Sequence, residues 1–137
     1  MFTTSAATFG QWYPLNGTAI FVGSCEALPM NLTRQIVLAS RGECSFISKV
    51  RNAQNAGAIA LIVLDNGDPY PMEMACPFED DCTDIRIPSL LVPIEARDAI
   101  FDVLETAPKE LFHVICRNRN IHLFHTNSHL NLLKGTF

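Results

Sequence analysis

IVLASRGECSFISKVRNAQNAGAIALIVLDN, residues Ile36 to Asn66, reads as strand, tight turn, helix and strand. Ile36 to Ala39 is a short apolar run that stops at the turn signal Ser40-Arg41-Gly42. Ser45 stands where an N-cap belongs, its hydroxyl able to accept from an unpaired amide of the first turn. Phe46, Val50, Ala53 and Gly57 follow at spacings of four, three and four and share one helical face. Lys49, Arg51, Asn52 and Asn55 are expected on the other, solvated face. Gly57 suits a helix end that needs positive φ. Ile59 to Leu64 is apolar without alternation, the pattern of a strand covered on both faces. Asp65-Asn66-Gly67-Asp68-Pro69 then closes the unit with turn residues. A crossover of this length predicts parallel strands and a right-handed connection.

The rest of the composition bounds the reading. A chain of 137 residues, 48% apolar and only 18% charged, suits one folded domain with a real core. A formal charge of −4 and the lack of a basic stripe with interleaved aromatics argue against nucleic acid as a partner. No apolar run approaches the roughly 20 residues that cross a bilayer, so direct membrane insertion is not expected. Met1 to Ser5 has neither a basic n-region nor a long apolar stretch, so no signal peptide is visible. Catalytic patterns are equally scarce. There is no GxSxG elbow and no HExxH, and every histidine lies at or beyond His113. Gly42 alone in the strand-to-helix turn, flanked by Arg41 and Glu43, does not make a phosphate-cradling loop. The expectation is a chain that is not an enzyme, with no cofactor and no metal.

The central segment also carries a resemblance. Arg41-Gly42-x-Cys44-x-Phe46-x-x-Lys49, then Asn52-Ala53-x-x-Ala56-Gly57-Ala58 and the run to Asp65-Asn66, resembles the signature of the protease-associated (PA) domain. Asp84 to Leu91 is similar to a later strand of that family, and Ala7 to Gly10 to its opening. The resemblance covers residues 6–116 and leaves 117–137 as a tail outside it. It implies an α/β, three-layer β/β/α fold of the swivelling-domain type, with a sandwich or barrel core, a right-handed βαβ crossover and helices on one side. PA modules of endoplasmic-reticulum α-mannosidase-like degradation enhancers and of vacuolar sorting receptors are the most similar in flavour. Family modules also accompany peptidases and membrane-bound ubiquitin ligases, and engage ligands without doing chemistry. The implied role is a noncatalytic protein- or peptide-interaction module of a secretory-pathway protein. Two alternatives stand beside it: an accessory domain of a peptidase or glycosidase whose catalytic part is elsewhere, and a free-standing thiol or metal-binding protein.

Five cysteines without CxxC spacing weaken zinc and thioredoxin readings. Cysteines at similar places in other PA modules make Cys25–Cys44 the first choice of disulfide, clipping a loop to the start of the helix. The other reading makes Cys44 a reactive thiol near a helix N-terminus. Cys76 and Cys82 could close a small ring, and Cys116 is either left over as a buried apolar residue or the true partner of Cys25. With the sequons at Asn16 and Asn31, these cysteines suggest a lumenal or extracellular setting. Together with the missing leader, that suggests an incomplete chain.

Elsewhere, Trp12-Tyr13 reads as core cover or as an exposed patch, and Asn16-Gly17 as a turn before a strand from Thr18 to Val22. Gly23 to Thr33 and Pro69 to Asp84 read as loops. The second holds Glu73, Glu79, Asp80, Asp81 and Asp84, either a ligand-facing surface for a basic peptide or calcium, or a solvated loop stapled by a disulfide. Ile85 to Val92 reads as a strand that Pro88 places at an edge or bulge. Glu95 to Glu105 reads as a helix with Ala96, Ala99, Ile100, Val103 and Leu104 inward, and Leu111 to Cys116 as the closing strand. In the tail, His122, His125 and His129 would line one helical face fit for a transition metal, but the many asparagines favour a nonspecific polar tail. The candidate ligand surface comprises Arg41, Glu43, Asn66, Asp68, Tyr70, Glu73, Asp80 and Asp81. Arg41 would pair with a ligand carboxylate or internally with Asp65 or Asp84. Expected partners are a protein or peptide ligand, or a catalytic domain of the parent.

Overall fold

In the structure, a computed structural model, the described residues are 2–3, 5–6, 10, 13–23, 25, 28, 31–67, 74–106, 112–117 and 120–125. Strands β1 (Phe2–Thr3), β2 (Ser5–Ala6), β3 (Leu15–Phe21), β4 (Gln35–Ser40), β5 (Ala60–Leu64), β6 (Ser89–Val92), β7 (Phe112–Arg117) and β8 (Asn120–His125) form one sheet in the order β1-β8-β7-β3-β4-β5-β6-β2. Helices α1 (Phe46–Asn55) and α2 (Ile94–Thr106) complete the fold. The centre, β3-β4-β5-β6, is parallel, and the flanking pairs are antiparallel. All five residues of β5 are buried, as its unalternating apolar run predicts.

Topology forces the sheet to curl. Thr3 and Ser5 are separated by one residue, yet they belong to the two opposite edge strands. Two residues span at most about 7 Å, so those edges must nearly meet. Ile121 of β8 and Leu90 of β6, far apart in strand order, accordingly share one core with Leu15, Ile36, Ile62 and Val114. That inner core brings two β layers face to face. The outer face of β4 and β5 packs Val37, Ala39, Leu61 and Val63 against Ile47, Val50 and Ala53 of α1, which supplies the third layer.

Several details depart from the sequence reading, each for a physical reason. The helices cover opposite faces rather than one side, because Ala96 and Ile100 of α2 join the inner core while α1 joins the outer one. Asn16-Gly17 is no turn. Both residues lie within β3, where they pair with Ile115 and Val114. Gly17 serves close approach instead, since a Cβ there would meet the Arg34 carbonyl at 2.7 Å. The strand expected from Ile85 begins only at Ser89, with Pro88 just before it, because the amides of Arg86 and Ile87 are taken by Gln54 of α1. Strand β7 does not close the domain. β8 pairs with it over six positions, so Asn120–His125 is sheet rather than polar tail. In a strand a spacing of three puts no two residues on one face, and the shared helical face proposed for His122 and His125 lapses. His129 lies outside the described residues, as do Phe9, Trp12 and Met72.

Candidate functional site

Parallel strands deliver their C-terminal ends to one rim of the sheet, the place where open α/β folds usually present their binding loops. Residues 22–23, 25, 40–44 and 65–67 meet there. Main-chain bonds tie them in series: Ser40 N donates to Gly23 O (2.8 Å), Arg41 N to Leu64 O (2.9 Å) and Asp65 N to Val92 O (3.0 Å). Side chains then cross-brace the rim. Arg41 Nη1 donates to Asp65 Oδ1 at 3.1 Å, with both side chains largely covered. Asp65 Oδ1 also accepts from Asn66 N (2.7 Å), and Asn66 Nδ2 donates to Arg41 O (3.3 Å). The internal reading of Arg41 therefore holds, and its partner is Asp65. Glu43 and Asn66 remain exposed, and Glu43 sits at φ 65°, a left-handed conformation uncommon for a glutamate.

The Cys25–Cys44 bridge pins this rim to α1, with the Cα atoms 6.0 Å apart. Ser45 caps the helix, its Oγ accepting from Ser48 N at 3.2 Å, and Gly57 follows the helix at φ 96°. Cys44 is thus half of a disulfide and not a free thiol. Lys49 corrects the expected solvated face: only 4% exposed, its Nζ donates to Gly42 O at 2.7 Å and lies 3.4 Å from Cys25 Sγ and 3.5 Å from Cys44 Sγ. A pocket of about 10 Å³, room for about one water, lies among Val22, Cys25, Leu28, Cys44, Lys49 and Asn52.

A second constellation covers the exposed side of α1. Arg51, expected to face water, forms a bidentate pair with Asp80 (3.0 Å and 3.0 Å) and bonds to both oxygens of Asp84 (2.9 Å and 3.0 Å). These bonds hold the Asp80 and Asp84 carboxyls below their ordinary range, and the guanidinium pKa is raised in turn. Asp81 is lowered by the amide and hydroxyl of Thr83. Gln54, one turn on, donates to Asp84 O (2.8 Å) and accepts from Arg86 N (2.6 Å) and Ile87 N (3.2 Å). The Cys76–Cys82 bridge closes the ring above them and lifts Phe78 fully into solvent. The acidic segment is consequently docked on the helix, with two of its carboxylates committed. Asp68, Tyr70 and Glu73, the remaining candidates of that loop, lie outside the described residues.

The PA domain sequence profile matches residues 6–100. The chain belongs to the PA domain family. It is similar to signal peptide peptidase-like 2 of Arabidopsis thaliana (33% identity over 63% of this chain and 16% of that protein). It is also similar to the human ER degradation-enhancing alpha-mannosidase-like protein 3 (36% identity over 56% of this chain and 9% of that protein). The chain thus spans a small fraction of these relatives. Among solved structures, the aminopeptidase from Aneurinibacillus sp. strain AM-1 shares the fold, with 24% identity and a TM-score of 0.59 over 76% of this chain and 25% of that one.

Within this PA domain, sequence reasoning overlooked Lys49, Arg51, Gln54 and Phe78 as site residues. Lys49 was findable, since it lies three residues after Phe46 and four before Ala53 and so shares their inward face. Arg51 and Gln54 were not, because their partners are distant in sequence. Both sequon asparagines are exposed; Asn31 stands outside any strand or helix at φ 67°, and Asn16 lies in β3 with its Oδ1 against His113 Nε2. Tyr13 is partly exposed and donates to Ile59 O at 3.0 Å. Cys116 is free and fully buried, which pushes its thiol up to about 11. Met74 is buried. Among the described residues no three His, Cys, Asp or Glu converge as a metal site, and no helix is long and apolar enough to cross a membrane.

Proposed function

We propose that this PA domain is a noncatalytic module that engages a protein or peptide through the rim formed by residues 40–44 and 65–67. The observation that carries the reading is the Arg41–Asp65–Asn66 brace, which holds two loops side by side and leaves Glu43 and Asn66 facing solvent. Preorganised loops lose little conformational entropy on binding, and the left-handed Glu43 is the kind of local strain that clusters at ligand sites. Asp68, Tyr70, Glu73 and Asp81 extend the proposed surface, while Asp80 serves to dock its loop on α1. The family-like part is proposed to run over residues 6–116, with β8 extending its sheet beyond it. Two disulfides support a lumenal or extracellular location, and of the two sequons Asn31 is the proposed glycan acceptor.

Probing an array of immobilised peptides with the labelled chain tests the reading. A subset of peptides should bind, and Glu43→Arg or Asn66→Arg should weaken that binding at least tenfold, the first of them with the melting temperature unchanged. Binding to no peptide, or binding indifferent to both substitutions, would sink it. A second reading draws on the relatives, in which the matched region is a small part of a longer protein. Here the domain is accessory to a peptidase or glycosidase domain in the same polypeptide. That reading expects Glu43→Arg in the longer protein to lower kcat/KM for a protein substrate with little change for a minimal one.

A further inference from the structure

The Cys25–Cys44 bridge has a neighbour unusual for a structural disulfide, a buried amine in contact with both sulfurs. Lys49 Nζ is 3.4 Å from Cys25 Sγ and 3.5 Å from Cys44 Sγ, and the Gly42 carbonyl orients it at 2.7 Å. Both cysteines are half-buried rather than sealed in the core. Cys44 also precedes the N-cap of α1, where the helix dipole favours negative charge. Cys76–Cys82 lies instead beside Asp80 and Asp81 and has the Asp80 carbonyl 3.7 Å from Cys76 Sγ.

We propose that Cys25–Cys44 is a thiol–disulfide exchange site for glutathione-like or protein thiols, and that Lys49 is the group that makes it reducible. An incoming thiolate attacks one sulfur and forms a mixed disulfide. The Cys25–Cys44 bond breaks, and its electron pair leaves on the other cysteine as a thiolate. Lys49 reaches both sulfurs, so whichever one leaves meets the same ammonium. A second thiol then attacks the mixed disulfide. Two external thiols become one external disulfide, and their two protons and two electrons end on Cys25 and Cys44. A cation beside a thiolate stabilises it, and stabilising the reduced form raises the reduction potential. Reduction would also unpin Cys25 from Cys44, loosening one side of the proposed binding rim.

The test equilibrates the full chain in glutathione buffers of graded potential, traps thiols by alkylation and reads each cysteine by peptide mass spectrometry. Cys25–Cys44 should reduce at a higher potential than Cys76–Cys82. Lys49→Met should lower its equilibrium constant for reduction at least tenfold, about 30 mV for this two-electron couple. Lys49→Arg should stay within threefold of the unaltered chain, and Cys76–Cys82 should be unmoved by either change. A Lys49→Met constant within twofold of the original, or shifted toward easier reduction, overturns the proposal. Should that variant fail to fold, the fully reduced unaltered chain decides. Cys25 or Cys44 should react with iodoacetamide at pH 7 at least fivefold faster than Cys76 and Cys82, and equal or slower reaction overturns it.

Discussion

Cys25–Cys44 spans 19 residues and rests against the Lys49 amine, whereas Cys76–Cys82 spans 6 and rests among carboxylates that Arg51 draws onto the outside of α1. The first ties two sheet-rim loops to the helix. The second rigidifies a segment whose docking is already secured by side chains. One helix therefore organises both regions by opposite chemistry, a buried cation on its inward face and a charge clamp on its outward one. A bridge in such a setting differs from its neighbour in how much chain it restrains and in what its reduced form would meet.

The largest expected effect follows from loop length. Chain-entropy arguments assign the long bridge about 3 kcal/mol and the short one about 2 kcal/mol. Replacing Cys25 and Cys44 by serine should therefore lower the unfolding free energy more than replacing Cys76 and Cys82, as read by urea titration under nonreducing conditions. The reverse order would mean that the acidic ring, not the rim, is the restraint on which the fold depends.

Gln54→Ala probes the side-chain half of the clamp. It leaves the amides of Arg86 and Ile87 without their acceptor and frees the Asp84 carbonyl. A loss of about 1 kcal/mol is expected, with faster amide exchange confined to residues 84–87 and the Cys25–Cys44 side unaffected. Exchange that quickened equally at residues 40–44 would show that the two regions are one cooperative unit.

What the sequence revealed divides along the same line. The crossover was legible because its signals are local: an N-cap at Ser45, a glycine at the helix end, and an apolar run too uniform for a half-exposed strand. Contacts that decide the rest join residues distant in the chain. Arg51 meets Asp80 and Asp84 about thirty positions on, which no local period reports. Asn120–His125, set among the tail's asparagines, becomes strand through its register with β7, a pairing that the residues around it do not announce. Asn16-Gly17 shows the converse error, a strong turn signal overruled by close backbone approach. Lys49 escapes a reading by residue type, which puts a lysine in water although its spacing from Phe46 and Ala53 places it inside.

Acid provides the finest cut between the regions. Arg51 holds Asp80 and Asp84 below the ordinary carboxylate range, and Thr83 does the same for Asp81. A depressed carboxyl binds fewer protons folded than unfolded, so its stabilisation is present above about pH 4 and is lost as pH falls through the lower folded value. Arg51→Gln removes the guanidinium that depresses Asp80 and Asp84 but leaves Asp81 with Thr83. The urea midpoint of the variant should therefore fall less steeply than that of the unaltered chain between about pH 4 and pH 2. His113, on β7, supplies an internal reference. Burial lowers its pKa, so its contribution is present above about pH 6.5 and is lost as pH falls below that. That step should survive Arg51→Gln unchanged. If the low-pH slopes of the two proteins coincide instead, the clamp seen around Arg51 contributes nothing to the folded state in solution, and Gln54 with the apolar packing of Cys82, Ile85 and Ile87 keeps the acidic ring on α1.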